Sequence, residues 1–135
     1  MILDRFSEVE TFIFDVDGVL TDGSVMATDD GEMHRTFNIK DGFALQFAVK
    51  AGYTIIIISG GNSEGVRTRL KSLGIVHVHT AIADKRALLS KLELESGVDL
   101  SKSLYMGDDY PDISVMNMCG IKTCPNDAAW EIQDK

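Results

Sequence analysis

The chain has 135 residues (14.8 kDa), 44% of them hydrophobic and 25% charged, enough to bury the core of one domain spanning 1–135. Its net charge of −8 and pI near 4.7 argue against nucleic acid or an anionic membrane as the main partner, since both reward clustered Lys and Arg. Two cysteines, Cys119 and Cys124, without a spaced Cys/His set speak against a zinc site and for inert thiols in a reducing, cytoplasmic setting, while the charged opening MILDRFSEVE and the short apolar runs speak against export or a membrane span.

The first predicted strand is 11–15 (TFIFD), a short apolar run of the kind that is covered on both faces. Residues 24–37 (SVMATDDGEMHRTF) then read as a hairpin of two short strands around TDDGE, with Asp30-Gly31 as the turn, an insertion too small for a core of its own. A helix is predicted over 41–50, with Phe43, Ala44, Phe47 and Ala48 as its apolar face; a strand over 53–58 (YTIIII); a helix over 63–73; a weaker strand over 75–78; a helix over 84–96; and a strand over 103–106. Strand and helix alternate outside the hairpin, which predicts an α/β fold: a Rossmann-like parallel sheet with helices on both faces.

In such a sheet ligands bind beyond the carboxyl ends of the strands. The residues that follow the strands are Asp15 and Asp17, then Ser59-Gly60-Gly61, then Gly107-Asp108-Asp109 with Asp112 close behind, while Lys85 opens the third long helix. Each aspartate taken alone reads as a cap or turn residue. Four or five carboxylates converging on one sheet edge would repel one another unless a divalent cation neutralised them, and an oxygen-only set suits Mg²⁺. Ser59 and the glycines after it offer a hydroxyl and backbone N–H groups to a phosphate. His77 and His79 alternate along HVHT and read as packed or surface residues. His34 and Arg35 sit on the hairpin, from which they could reach a substrate.

DVDGVLTDG, Ser59, Lys85 and GDDYPD, in this order and spacing, resemble the four motifs of the haloacid dehalogenase superfamily phosphatases. The hairpin in place of a cap domain, with TDG, FNIKDG and SGGNSEGVRTRLKSLGI, resembles more narrowly the 3-deoxy-D-manno-octulosonate (KDO) 8-phosphate phosphatases, capless tetramers that make sugar acids for the bacterial envelope. The resemblance implies hydrolysis of a sugar-acid phosphate through an aspartyl-phosphate, with Asp15 as nucleophile and Asp17 as general acid and then base. It further implies Mg²⁺ held by Asp15, the Asp17 main-chain carbonyl and Asp108, with Asp109 or Asp112 orienting its waters, and phosphoryl oxygens bound by Ser59, Gly60 and Lys85. Thr21, His34, Arg35, Lys40 and Asp41 are candidate substrate contacts.

Two departures concern substrate identity more than reaction type. Relatives commonly carry Ser-Gly-Arg where this sequence has Gly61, and they continue into a Gly-rich tail with a basic residue, whereas these residues end at Lys135, soon after CPNDAAWEIQDK. The alternatives are a phosphatase for the nine-carbon keto-deoxy-nonulosonate 9-phosphate and a non-catalytic phosphatase-like regulatory or oligomerisation module. The hairpin is too small to cover the site, so a homo-oligomer, a tetramer as in the resembled family, is expected to complete it.

Overall fold

The structure, a computed structural model, describes residues 2–133. A short helix α1 (Ile2–Arg5) leads into strand β1 (Thr11–Phe14), the hairpin strands β2 (Met26–Ala27) and β3 (Met33–His34), helix α2 (Ile39–Lys50), strand β4 (Thr54–Ile58), helix α3 (Glu64–Ser72), strand β5 (His77–His79) and helix α4 (Lys85–Glu95). Strand β6 (Ser103–Met106), helix α5 (Ile113–Met116), strand β7 (Ile121–Thr123) and helix α6 (Trp130–Gln133) follow. β5, β4, β1, β6 and β7 lie side by side in that order, all parallel, which is the predicted α/β sheet.

Alternation along β4 divides the core. Ile56 and Ile58 point to one face, where they meet Leu89 and Leu92 of α4, Val115 of α5 and Ile132 of α6. Ile55 and Ile57 point to the other, against Leu45 of α2 and Val66 and Leu70 of α3. An isoleucine run buried on both faces is what a central parallel strand requires, and each such side chain contributes about 1.5–3 kcal/mol. The chain leaves β1 toward β4 and β5, then returns to the opposite side of β1 for β6 and β7, so the strand order reverses between β1 and β6. That reversal opens a crevice at the carboxyl ends of β1 and β6.

Four expectations are corrected. The strand expected at 75–78 lies at His77–His79, because Ile75 is spent in the core beside α3 while Val76 is exposed. β7 was not expected: its IKT sequence is too short for a visible pattern, and of its residues only Ile121 is buried. The hairpin is closed by a turn over 28–31, with the Gly31 N–H donating to the Thr28 carbonyl (3.0 Å) and positive φ at Gly31 alone, not by a two-residue Asp30-Gly31 turn.

The fourth correction is the face of α2. Phe43 and Phe47 are 70% and 66% exposed, their rings stacked 6.5 Å apart, and Gly42 and Leu45 are the buried residues. The helix packs closely because Gly42 has no side chain: a methyl there would overlap the Arg69 guanidinium, which crosses over it from α3.

Candidate active site

The parallel ladder sets the site by running one residue past each strand. The Asp15 N–H donates to the Met106 carbonyl (3.2 Å), that of Ser59 to the His79 carbonyl (2.9 Å) and that of Gly107 to the Thr123 carbonyl (3.2 Å), so the residues after β1, β4 and β6 share one edge. Behind Asp15 the chain closes on itself, with the N–H groups of Val19, Leu20 and Thr21 all donating to the Val16 carbonyl. Gly18, at φ +84°, is required in this turn, because a methyl there would overlap the Asp108 carboxylate. The resulting cavity, about 750 Å³, is lined by Asp15, Asp17, Ser59, Gly60, Gly61, Lys85, Asp108, Asp109 and Asp112 among others, so the residues expected at the strand ends do meet.

Asp112, 1% exposed, is the hub. Its Oδ1 accepts from the Lys85 ammonium (2.9 Å) and the Tyr105 hydroxyl (2.7 Å), and its Oδ2 from the N–H groups of Asp108 (3.2 Å) and Asp109 (3.4 Å). A carboxylate has about four acceptor positions, so Asp112 is filled by protein and none of its lone pairs is left for a cation. Lys85 also donates to Asp15 Oδ1 (3.1 Å) and thereby joins the buried hub to the carboxylate after β1.

The charges do not balance. Carboxylate oxygens of Asp15, Asp108 and Asp112 lie within 4.8 Å of one another, with Lys85 the cation placed among them. Burial pushes the Asp108 carboxyl up to about 7, helped by the charges of Asp15 and Asp112. Burial raises Asp15 too, against the pull of Lys85. Burial would lower the Lys85 ammonium, but Asp15 and Asp112 outweigh it and hold it above its ordinary value. Two carboxyls held up in this way mark a place where a positive charge is missing, and the donors are oxygen alone, the set a hard divalent cation takes. Asp15 and Asp108, which line the cavity, are the carboxylates placed to bind it.

The other predicted residues sort by geometry. Ser59 is buried, its Oγ accepting from the Gly61 N–H (3.1 Å). Asp17 keeps its carboxylate out of the acidic cluster: Arg35 Nε donates to Oδ1 (2.7 Å) and Nη2 to Oδ2 (3.2 Å). The Asp109 side chain turns to the Tyr110 N–H (2.8 Å) and caps the turn that carries Asp112. Thr21 is buried and braces the loop, its Oγ1 accepting from the N–H groups of Gly18 and Gly23 (both 3.2 Å). His34 is exposed on the hairpin, lining a neighbouring cavity with Arg35. Lys40 and Asp41 lie in the first turn of α2, held by the Asn38 cap, and neither lines the main cavity.

One participant escaped the sequence, and so did the contacts of another, Arg35, which was expected only as a substrate contact. Tyr105 reads as one more apolar strand residue, although a buried tyrosine hydroxyl needs a partner, and that need points to a carboxylate nearby. The guanidinium that approaches Gly61 belongs to Arg35, 26 residues earlier in the chain; a Cβ on Gly61 would stand 3.2 Å from Arg35 Nη2.

No protein-family model matches the chain. The 3-deoxy-D-manno-octulosonate 8-phosphate phosphatase of Salmonella typhi is 31% identical over 127 residues, covering 94% of this chain and 68% of the relative. The crystal structure of that phosphatase from Yersinia pestis superposes with a TM-score of 0.94 at 27% identity, over 98% of this chain and 72% of the other. The Moraxella catarrhalis phosphatase, solved in complex with magnesium ion, phosphate ion and KDO, superposes with a TM-score of 0.91 at 31% identity, over 97% and 75% of the two chains. At this identity and coverage, the chain belongs to the 3-deoxy-D-manno-octulosonate 8-phosphate phosphatases of the haloacid dehalogenase superfamily.

Proposed function

We propose that the protein is a phosphoric monoester hydrolase that releases phosphate from 3-deoxy-D-manno-octulosonate 8-phosphate with Mg²⁺ as cofactor. The observation that carries the reading is the cluster of three carboxylates, Asp15, Asp108 and Asp112, around one ammonium, Lys85, at the crevice between β1 and β6, beside Ser59. Its relatives' substrate, and the magnesium, phosphate and KDO of the Moraxella structure, supply the ligand chemistry.

In this reading Asp15 attacks phosphorus and Asp17 protonates the departing sugar hydroxyl, then takes a proton from the water that hydrolyses the aspartyl-phosphate. Lys85 and Ser59, with the N–H groups around Gly60, bind the phosphoryl oxygens and offset the charge that develops in transfer. Asp15, Asp108 and the Asp17 main-chain carbonyl would hold Mg²⁺. When bound, the ion neutralises the carboxylates and the incoming phosphate. Asp112 keeps Lys85 and the backbone of Asp108 in place, and Asp109 caps its turn.

We also propose that the enzyme is a cytoplasmic homotetramer. Cys119 and Cys124 stand unbonded, in keeping with a reducing compartment, and no helix among the described residues is long and apolar enough to cross a membrane. Exposed Ile39, Phe43 and Phe47, spaced i, i+4, i+8 along α2, and exposed Val25, Met26 and Met33 of the hairpin give the chain apolar surface that a second copy would cover. His34, Lys40 and Asp41 would then face substrate across the assembly.

A phosphate-release panel with Mg²⁺ tests the substrate. The eight-carbon phosphate should be cleaved well ahead of keto-deoxy-nonulosonate 9-phosphate and of hexose phosphates. Preference for the nine-carbon acid would reassign the substrate, and no release from any ester would favour a non-catalytic module.

A further inference from the structure

Arg35 stands just after β3, yet its side chain is only 12% exposed, because the hairpin folds it back over the loop that follows β1. Nε and Nη2 each take a different oxygen of Asp17, at 2.7 and 3.2 Å, and Nη1 reaches back to the Met33 carbonyl at 3.4 Å. Two parallel bonds from a planar fork fix both the place and the rotation of a carboxylate in a way that a single donor does not. Residue 61 beside the guanidinium is glycine: a Cβ there would lie 3.2 Å from Nη2 and 3.9 Å from Cζ, a tight approach. Each Asp17 oxygen uses one acceptor position on Arg35 and keeps another, on a residue that lines the cavity.

We infer that Arg35 is a positioning residue that holds the Asp17 carboxylate as proton acceptor for the second half of the reaction. The inference rests on the proposed roles of Asp15 and Asp17. In that half-reaction water attacks phosphorus, the bond from phosphorus to the Asp15 oxygen breaks with its electron pair returning to Asp15, and the proton lost by water goes to the Asp17 oxygen. In the first half Asp17 gives a proton up, and a guanidinium that pairs with the carboxylate on both oxygens gives that half no help. The hairpin thus serves the site of its own subunit, whatever surface it also offers to another.

The two halves are separable in the full chain with Mg²⁺ and the octulosonate phosphate. Arg35→Gln should lower kcat about 10²-fold, the usual cost of a misplaced catalytic group. KM should fall with it and kcat/KM should hold within about threefold, because kcat/KM reports only the steps through release of the sugar acid. Acid quenching should trap more phosphoenzyme than in the parent protein, and Arg35→Lys should restore part of kcat. Gly61→Ala should lower kcat by a larger factor when Arg35 is present than in the Arg35→Gln background. A raised KM with a lower kcat/KM would make Arg35 a substrate contact and overturn the inference, as would unchanged kcat without accumulated phosphoenzyme. Asp17→Asn run alongside separates the levels: if it is inactive while Arg35→Gln is normal, only this inference fails, and if Asp17→Asn is itself fully active, the role of Asp17 fails and the inference with it.

Discussion

The Lys85 ammonium lies 3.1 Å from Asp15 Oδ1, and both side chains are nearly buried although 70 residues separate them in sequence. Lys85 makes a second ion pair with the still more buried Asp112, so one cation secures the hub and the carboxylate at the cavity. Lys85→Met should therefore remove activity and also destabilise the metal-free protein by about 3 kcal/mol, as breaking a buried pair by deleting one partner does. Chemical denaturation with and without Mg²⁺ checks this, with the ion expected to recover part of the loss. An equally stable variant would mean that the pair contributes nothing to the fold.

The raised Asp108 carboxyl sets a pH dependence. Its value in the fold is about 7 against 3.8 for the free side chain, so the folded state holds the proton more tightly than the unfolded one. The stability it contributes is then present in acid and lost as pH rises through that interval, and Asp15, raised by burial, acts in the same direction. The metal-free protein should melt lower at pH 8 than at pH 5, and Mg²⁺ should raise the melting temperature more at pH 8. An equal Mg²⁺ shift at both pH values would show that these carboxyls do not bind the ion.

Asp17→Asn keeps the size of the side chain but gives up proton transfer. Its turnover should fall roughly 10²–10⁴-fold with the fold intact, read from phosphate release and circular dichroism. Unchanged turnover would place the acid and base elsewhere.

The stacked Phe43 and Phe47 are largely exposed, and their exposure is a prediction about assembly. Phe43→Glu with Phe47→Glu should reduce the mass measured by light scattering, and deletion of 25–36 should reduce both mass and activity. A parent protein that is monomeric and fully active at assay concentration would contradict the tetramer.

What the sequence made legible follows from how local each signal is. The isoleucines of β4 announce a strand buried on both faces, and the acids, serine and lysine after the strands are ordered along the chain as the topology orders them in space. The α2 face was misread because Phe43 and Phe47 look like core, whereas Gly42 and Leu45 make the contact and the place of Gly42 depends on Arg69 of α3. The pairing of Arg35 with Asp17 was out of reach because it depends on the path of the hairpin, which no periodicity encodes. Asp112 was expected to orient waters; its burial and four donors became visible only when Lys85, Tyr105 and the 107–109 backbone were brought around it.

The account turns on Asp15 as the atom donor to phosphorus. Acid-quenched enzyme, caught during turnover of the octulosonate phosphate with Mg²⁺, should carry one phosphoryl group on the peptide containing Asp15, and the Asp15→Asn protein should carry none and release no phosphate. Turnover at the parent rate by Asp15→Asn, or a phosphoryl group mapped to another residue, would contradict it.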